Sequence, residues 1–105
     1  MSKKNAAAKN GGQMSQVNVT VNGASRDAVF IWDGKKKPLV GGGGASYATS
    51  FNATKGSHVY CVVVFGNPGD AWTASIGSGP VTQNHAGHMS PSGFDTTRDT
   101  PFKVS

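Results

Sequence analysis

SHVYCVVVFGNPGDAWTASI, from Ser57 to Ile76, is the most apolar and most strongly β-forming part of the chain. Its β-branched and aromatic side chains fit a pleated surface, and its apolar positions fall on both parities of a period-two pattern. Val59, Cys61, Val63 and Phe65 point one way, and His58, Tyr60, Val62 and Val64 the other. A strand that is apolar on both faces belongs in the middle of a sheet or has its second face partly covered. Gly66-Asn67-Pro68-Gly69-Asp70 then supplies consecutive turn residues, after which Trp72, Ala74 and Ile76 alternate with Thr73 and Ser75. The stretch predicts a β-hairpin with a five-residue connection, its second strand having one face in the core and one in water.

On the N-terminal side, Asn52 to Gly56 reads as a turn and Ser46 to Phe51 as a strand. Gly41 to Gly44 lacks the Gly-Lys-Ser/Thr and the following helix that a phosphate-cradling loop needs, so it reads as a flexible linker. Ala28 to Trp32 is a strand ending at Asp33-Gly34, a pair that favours a type I′ hairpin turn. The return strand runs from Lys35 to Val40, and Pro38, with no amide hydrogen to donate, places it at a sheet edge. Gln16 to Asn22 alternates so regularly that Val17, Val19 and Val21 share one face. Residues 1–14 are small, polar and Gly-rich, too poor in apolar area to offset ordering, and read as a flexible basic tail.

On the C-terminal side, Gly77 to Thr100 is rich in Gly, Ser, Thr, Pro and Asn, with weak strand signals only at Val81-Thr82 and near Phe94. It reads as one long loop, pinned by a short final strand at 101–104 with Phe102 and Val104 inward. Residues 15–105 thus form a single all-β domain, a small antiparallel β-sandwich of about seven strands. GSHVYC resembles the Gly-x-Tyr-x-Cys of immunoglobulin domains, although Tyr60 directly precedes Cys61 and no second cysteine is present to pair with it. That resemblance implies an immunoglobulin-like layout and nothing of family membership. The alternative architecture is a small β-barrel of the oligonucleotide-binding kind, which would need exposed aromatics interleaved with Lys or Arg, and no strand carries them.

Fifteen glycines against 14% charged residues, all five acids being Asp, fit many turns and few helices. The formal charge of +5 sits partly in the tail; seven of the ten basic residues and all five acids follow it, a net of +2 for the body. No window is apolar enough for a membrane helix, and the N-terminus lacks the apolar segment of a signal peptide, so the default expectation is a soluble cytoplasmic chain. Cys61 is the sole cysteine, excluding an internal disulfide, and amid VYCVVV it reads as a small buried hydrophobe.

Catalytic chemistry finds no support: no nucleophile elbow accompanies the Ser, His and Asp residues, and the aspartates are scattered through turns and polar loops. The sequence therefore points to a non-enzymatic binding module without a cofactor, presenting the 77–100 loop to a protein, glycan or surface. Met89, Phe94 and Arg98 are its candidate contacts. Trp32, Tyr47 or Trp72 would assist if exposed, whereas burial of both tryptophans favours a protein partner at a sheet edge. Two other readings stand beside it. Lys35, Lys36 and Lys37, with the tail, could attract a nucleic acid or an anionic surface, against the plainer role of protecting a sheet edge. His85 and His88, spaced as His-x-x-His, could begin a metal site, although no third ligand and no helix accompany them.

Overall fold

The computed structural model describes residues 13–105, so all but the end of the tail assigned to 1–14 lies outside the described residues. Ten strands follow in chain order: β1 (Met14–Asn22), β2 (Asp27–Trp32), β3 (Lys35–Lys37), β4 (Val40–Gly43), β5 (Ser46–Thr54), β6 (Gly56–Phe65), β7 (Ala71–Ser78), β8 (Val81–His88), β9 (Phe94–Thr96) and β10 (Thr100–Val104). All pairings are antiparallel. Sheet A has the order β4-β5-β1-β7-β8. Sheet B has the order β10-β6-β2-β3, with β9 pairing β6 beyond the end of β10. The result is a β-sandwich of two sheets; the barrel alternative is not realised.

The core follows from the period-two patterns. Val17, Val19 and Val21 of β1 and Trp72, Ala74 and Ile76 of β7 face Phe30 and Trp32 of β2 and Tyr60, Val62 and Val64 of β6, all of them buried. Phe30 sits at the centre, its ring 5.8 Å from Tyr60 in its own sheet and 6.0 Å from the Phe51 ring of sheet A. Asp33 and Gly34 both have positive φ, 50° and 79°, giving the β2–β3 hairpin the expected type I′ geometry.

Four local expectations are corrected. Gly66 to Asp70 is no hairpin but a crossing between sheets, since β6 lies in B and β7 in A. The two apolar rows gain more by facing each other across the core than by lying side by side, and two bonds tie the crossing to Met89, from Gly69 N–H to its carbonyl and from its own N–H to Asp70. Lys35 to Val40 breaks at Pro38-Leu39, leaving β3 at the edge of sheet B and Val40 in sheet A. Gly41 to Gly43 belong to edge strand β4 rather than to a linker, because β5 offers them a free row of backbone partners. The turn that follows puts Gly44 and Ala45 at positive φ.

The fourth correction concerns the 77–100 loop, most of which is strand. Gly79, with φ 57°, and Pro80 form a two-residue turn, and β8 runs back along the whole of β7. Its alternation leaves no hydrophobic period in the sequence, because the inward positions are Val81, Gln83, His85 and Gly87, only one of them hydrophobic. The polar pair is satisfied internally. Gln83 Nε2 donates to the Pro101 carbonyl at 3.1 Å, which leaves its Oε1 to accept from the Tyr60 hydroxyl at 2.7 Å. The division of 35–40 into β3 and β4, the full-length β8 and the short β9 bring the strand count from about seven to ten.

Candidate functional site

The five strands of sheet A contain no Lys, Arg, Asp or Glu. Every charged side chain among the described residues lies on sheet B or in a connection. The outer face of sheet A is a flat array of amides, hydroxyls and methyls in register. One row across β5, β1, β7 and β8 reads Ser46, Asn22, Thr73, Ala86, the next Ala48, Thr20, Ser75, Asn84, and a third Ser50, Asn18, Gly77, Thr82. Alternation forces this outcome, because the opposite parity of the same strands carries the core. Two cross-strand bonds pin part of the array: Ser46 Oγ to Asn22 Oδ1 at 2.6 Å and Ser50 Oγ to Asn18 Oδ1 at 2.7 Å.

A groove of about 350 Å³ opens in this face, lined by Thr20, Asn22, Thr73, Ser75 and Asn84, with Ala74, His85 and Ala86 completing its wall. Its volume lies within the range of about 300–1,000 Å³ typical of small-ligand sites. Amides supply donors and acceptors, hydroxyls supply both, and the alanine methyls supply apolar contact. No group in the lining carries a charge to pair with an ionic ligand, His85 being held neutral as described next.

His85 and His88 do not form a joint metal site. Three residues apart on a strand, they project to opposite faces: His85 turns into the sandwich and His88 faces solvent. His85 Nε2 bonds the Tyr60 hydroxyl. Because that hydroxyl donates its single proton to Gln83, Nε2 must carry the proton and donate in return, so it has no lone pair for a metal. Burial lowers the His85 pKa and keeps the ring neutral, and burial pushes the Tyr60 phenol up to about 12. Among the described residues no group of three or more His, Cys, Asp or Glu is placed to hold a metal ion.

The other candidates are dispersed. Lys36 lies on the opposite face of β3 from Lys35 and Lys37, so the three ammonium groups do not converge. Lys37 Nζ sits 4.9 Å from the Phe51 ring centroid, a cation–π contact that accounts for its position. Met89 is only 3% exposed and closes the end of the core, which removes it as a contact residue. Phe94 is 43% exposed, on the outer face of sheet B. Arg98 is exposed in the turn between β9 and β10, with φ 60°. Both tryptophans are buried, and Cys61 is half-buried on the outer side of β6 rather than in the core.

His58, which no sequence motif marks, clips the β2–β3 turn to β6. Its Nδ1 is 2.6 Å from Asp33 Oδ2 and its Nε2 is 2.7 Å from the Thr54 carbonyl. Both partners are acceptors, so both bonds exist only when the ring is an imidazolium. Burial acts against the charge, but the Asp33 bond, the Thr54 bond and the Asp33 charge outweigh it and raise the His58 pKa above 6.5. Burial likewise opposes ionisation of Asp33, and the His58 and Val59 bonds with the His58 and Lys37 charges overcome it, lowering that pKa below 3.8. The His58 contribution is therefore complete below pH 6.5 and lost as pH rises through the higher folded value, whereas that of Asp33 is lost only in acid. Thermal melts across this range should show Tm falling as pH rises above 6.5, and His58→Gln should remove that slope; parallel profiles for the two proteins would refute the clip.

Neither the sequence nor the fold points to a known relative: no family model, no curated protein and no solved structure matches the chain.

Proposed function

We propose that the protein is a non-enzymatic binding module whose recognition surface is the groove in the outer face of sheet A, and that its ligand is a neutral, hydroxyl-rich molecule such as a glycan. The carrying observation is the absence of Lys, Arg, Asp and Glu from all five strands of that sheet in a chain that is otherwise basic. A phosphate or carboxylate ligand calls for a cation, and the groove lining holds no Lys or Arg, while a purely apolar ligand would strand the amides of Asn22 and Asn84. Polyhydroxylated ligands exchange hydrogen bonds with such groups and place their C–H surfaces on the alanine methyls. With Trp32 and Trp72 buried, recognition here uses hydrogen bonds on a rigid sheet rather than aromatic stacking.

The test is a titration of the 15N-labelled protein with neutral oligosaccharides, followed by amide shifts. Shifts should cluster on β1, β7 and β8 and should persist at raised salt, since no ion pairs are involved. Thr73→Arg, which fills the groove from an exposed position, should weaken binding by about tenfold or more, roughly 1.4 kcal/mol, while leaving Tm unchanged. Shifts confined to other strands, or affinity that collapses with salt, would sink the proposal.

A second reading rests on β4. Its four residues are exposed, Val40 to 70%, and they form the edge of sheet A, with no Lys or Pro within the strand to discourage pairing. A partner protein adding a strand there is the sheet-edge recognition that buried tryptophans favour. Gly42→Pro would abolish that mode and leave groove binding intact.

A further inference from the structure

We infer that the outer face of sheet B is a self-association surface, on which a second copy of this chain docks about a two-fold axis that lies in the face and runs across the strands. Strand β6 turns Val59, Cys61, Val63 and Phe65 outward, so the central strand of the sheet is apolar on its solvent side as well as in the core. The neighbouring strands extend this row on most of its length, with Thr96 beside Val63 as its one polar neighbour on β9 and Lys103 beside Ser57 beyond its Val59 end. Val29 pairs with Val63, Ile31 with Cys61, and Phe94 with Phe65. Val59 and Phe94 are 44% and 43% exposed and the rest are half-buried, which makes a contiguous apolar strip rather than scattered single residues.

The charges at its two ends select the occupant and its orientation. Asp27 faces outward beside Phe65 at one end, and Lys36 faces outward beside Ile31 toward the other. A two-fold axis across the strands exchanges the ends, laying Asp27 of each copy near Lys36 of the other and the apolar strip against itself. With the axis along the strands, Asp27 would instead lie over Phe94, a carboxylate buried against a ring without a partner. The strip is thus complementary to its own rotated copy, in apolar surface and in charge. From Val59 to Phe65 it runs about 20 Å, across roughly 15 Å of neighbouring strands, smaller than the ~800 Å² per partner of a standard interface. The dimer is accordingly weak and reversible. It leaves both sheet A faces on the outside and does not depend on what they bind.

Sedimentation velocity of the full chain at low salt, from about 10 μM to about 1 mM, should show the weight-average sedimentation coefficient rising with concentration. Asp27→Lys and Lys36→Asp should each weaken association about tenfold, and the double exchange should restore it, because the pair is then re-formed with its signs reversed. Both positions are exposed, and Asp27 gives up only its local bond from the Ala28 N–H, so Tm should move little. Cys61 lies within the strip and serves as a native reporter: its labelling by a maleimide should slow with concentration in step with dimer formation. A monomer at every concentration, single exchanges without effect, a double exchange that fails to restore, or a dimer that leaves Cys61 labelling unchanged would each overturn the inference.

Discussion

Phe30→Ala is expected to lower stability by about 3–5 kcal/mol, enough to leave a domain of this size close to unfolded at 25 °C. Phe30 is 0% exposed, and its ring is the junction at which the two sheets meet. It lies 5.8 Å from Tyr60 and 6.2 Å from Trp32 within sheet B, and 6.0 Å from Phe51 of sheet A. Truncation opens a cavity that two twisted sheets fixed by their ladders cannot close, so the transfer loss and the cavity loss add. Urea denaturation checks the value, with Phe30→Leu as the volume-sparing control at less than about 1.5 kcal/mol. A loss below 1 kcal/mol for the alanine variant would mean that the core is not organised around this ring.

Legibility in the sequence tracked how much of each strand's inward face is hydrophobic. Where β1 alternates valine with polar residues, and where β6 carries apolar side chains on both parities, strand type and facing could be read directly. Where the inward positions of β8 are Gln83, His85 and Gly87, no hydrophobic period exists to be read. Those positions are occupied by hydrogen bonding to Tyr60 and Pro101 and by close backbone approach, which only the paired strands reveal. The same reason explains why Gly66 to Asp70 could not be assigned to a crossing rather than a hairpin. Local turn chemistry is identical for both, and the choice is made by which apolar rows face each other.

The candidate site was less legible still. The lysine run and the two histidines stand out in the sequence as charged and metal-binding residue types, yet alternation splits Lys36 from its neighbours and His85 from His88. The uncharged face leaves no motif. Its residues are Ser, Thr, Asn and Ala spread from Asn18 to Ala86, ordinary one by one, and they become a surface only through the register of β5, β1, β7 and β8. The one available signal is negative: no Lys, Arg, Asp or Glu falls in any of the five segments that make up sheet A.

Gly87→Ala should cost about 2–4 kcal/mol, against the usual sense of this substitution in a strand. Alanine normally stabilises an exposed strand position by restricting the unfolded chain and adding a side chain to pack. At Gly87 a Cβ would stand 2.5 Å from Asp95 Oδ2 and 2.9 Å from Trp72 Nε1. Those two atoms form a hydrogen bond of 2.8 Å that joins β7 of sheet A to β9 of sheet B, so the methyl group would have to displace the bond itself. Trp72 is 4% exposed, and its indole N–H would then be left buried without an acceptor. Gly42, whose added Cβ would meet nothing closer than 3.8 Å, is the control, and Gly42→Ala should be neutral or slightly stabilising. Introducing Asp95→Ala into the Gly87→Ala background should add little, since the contact it removes is already broken; full additivity in that cycle would show that Gly87 acts through something other than the Trp72–Asp95 link.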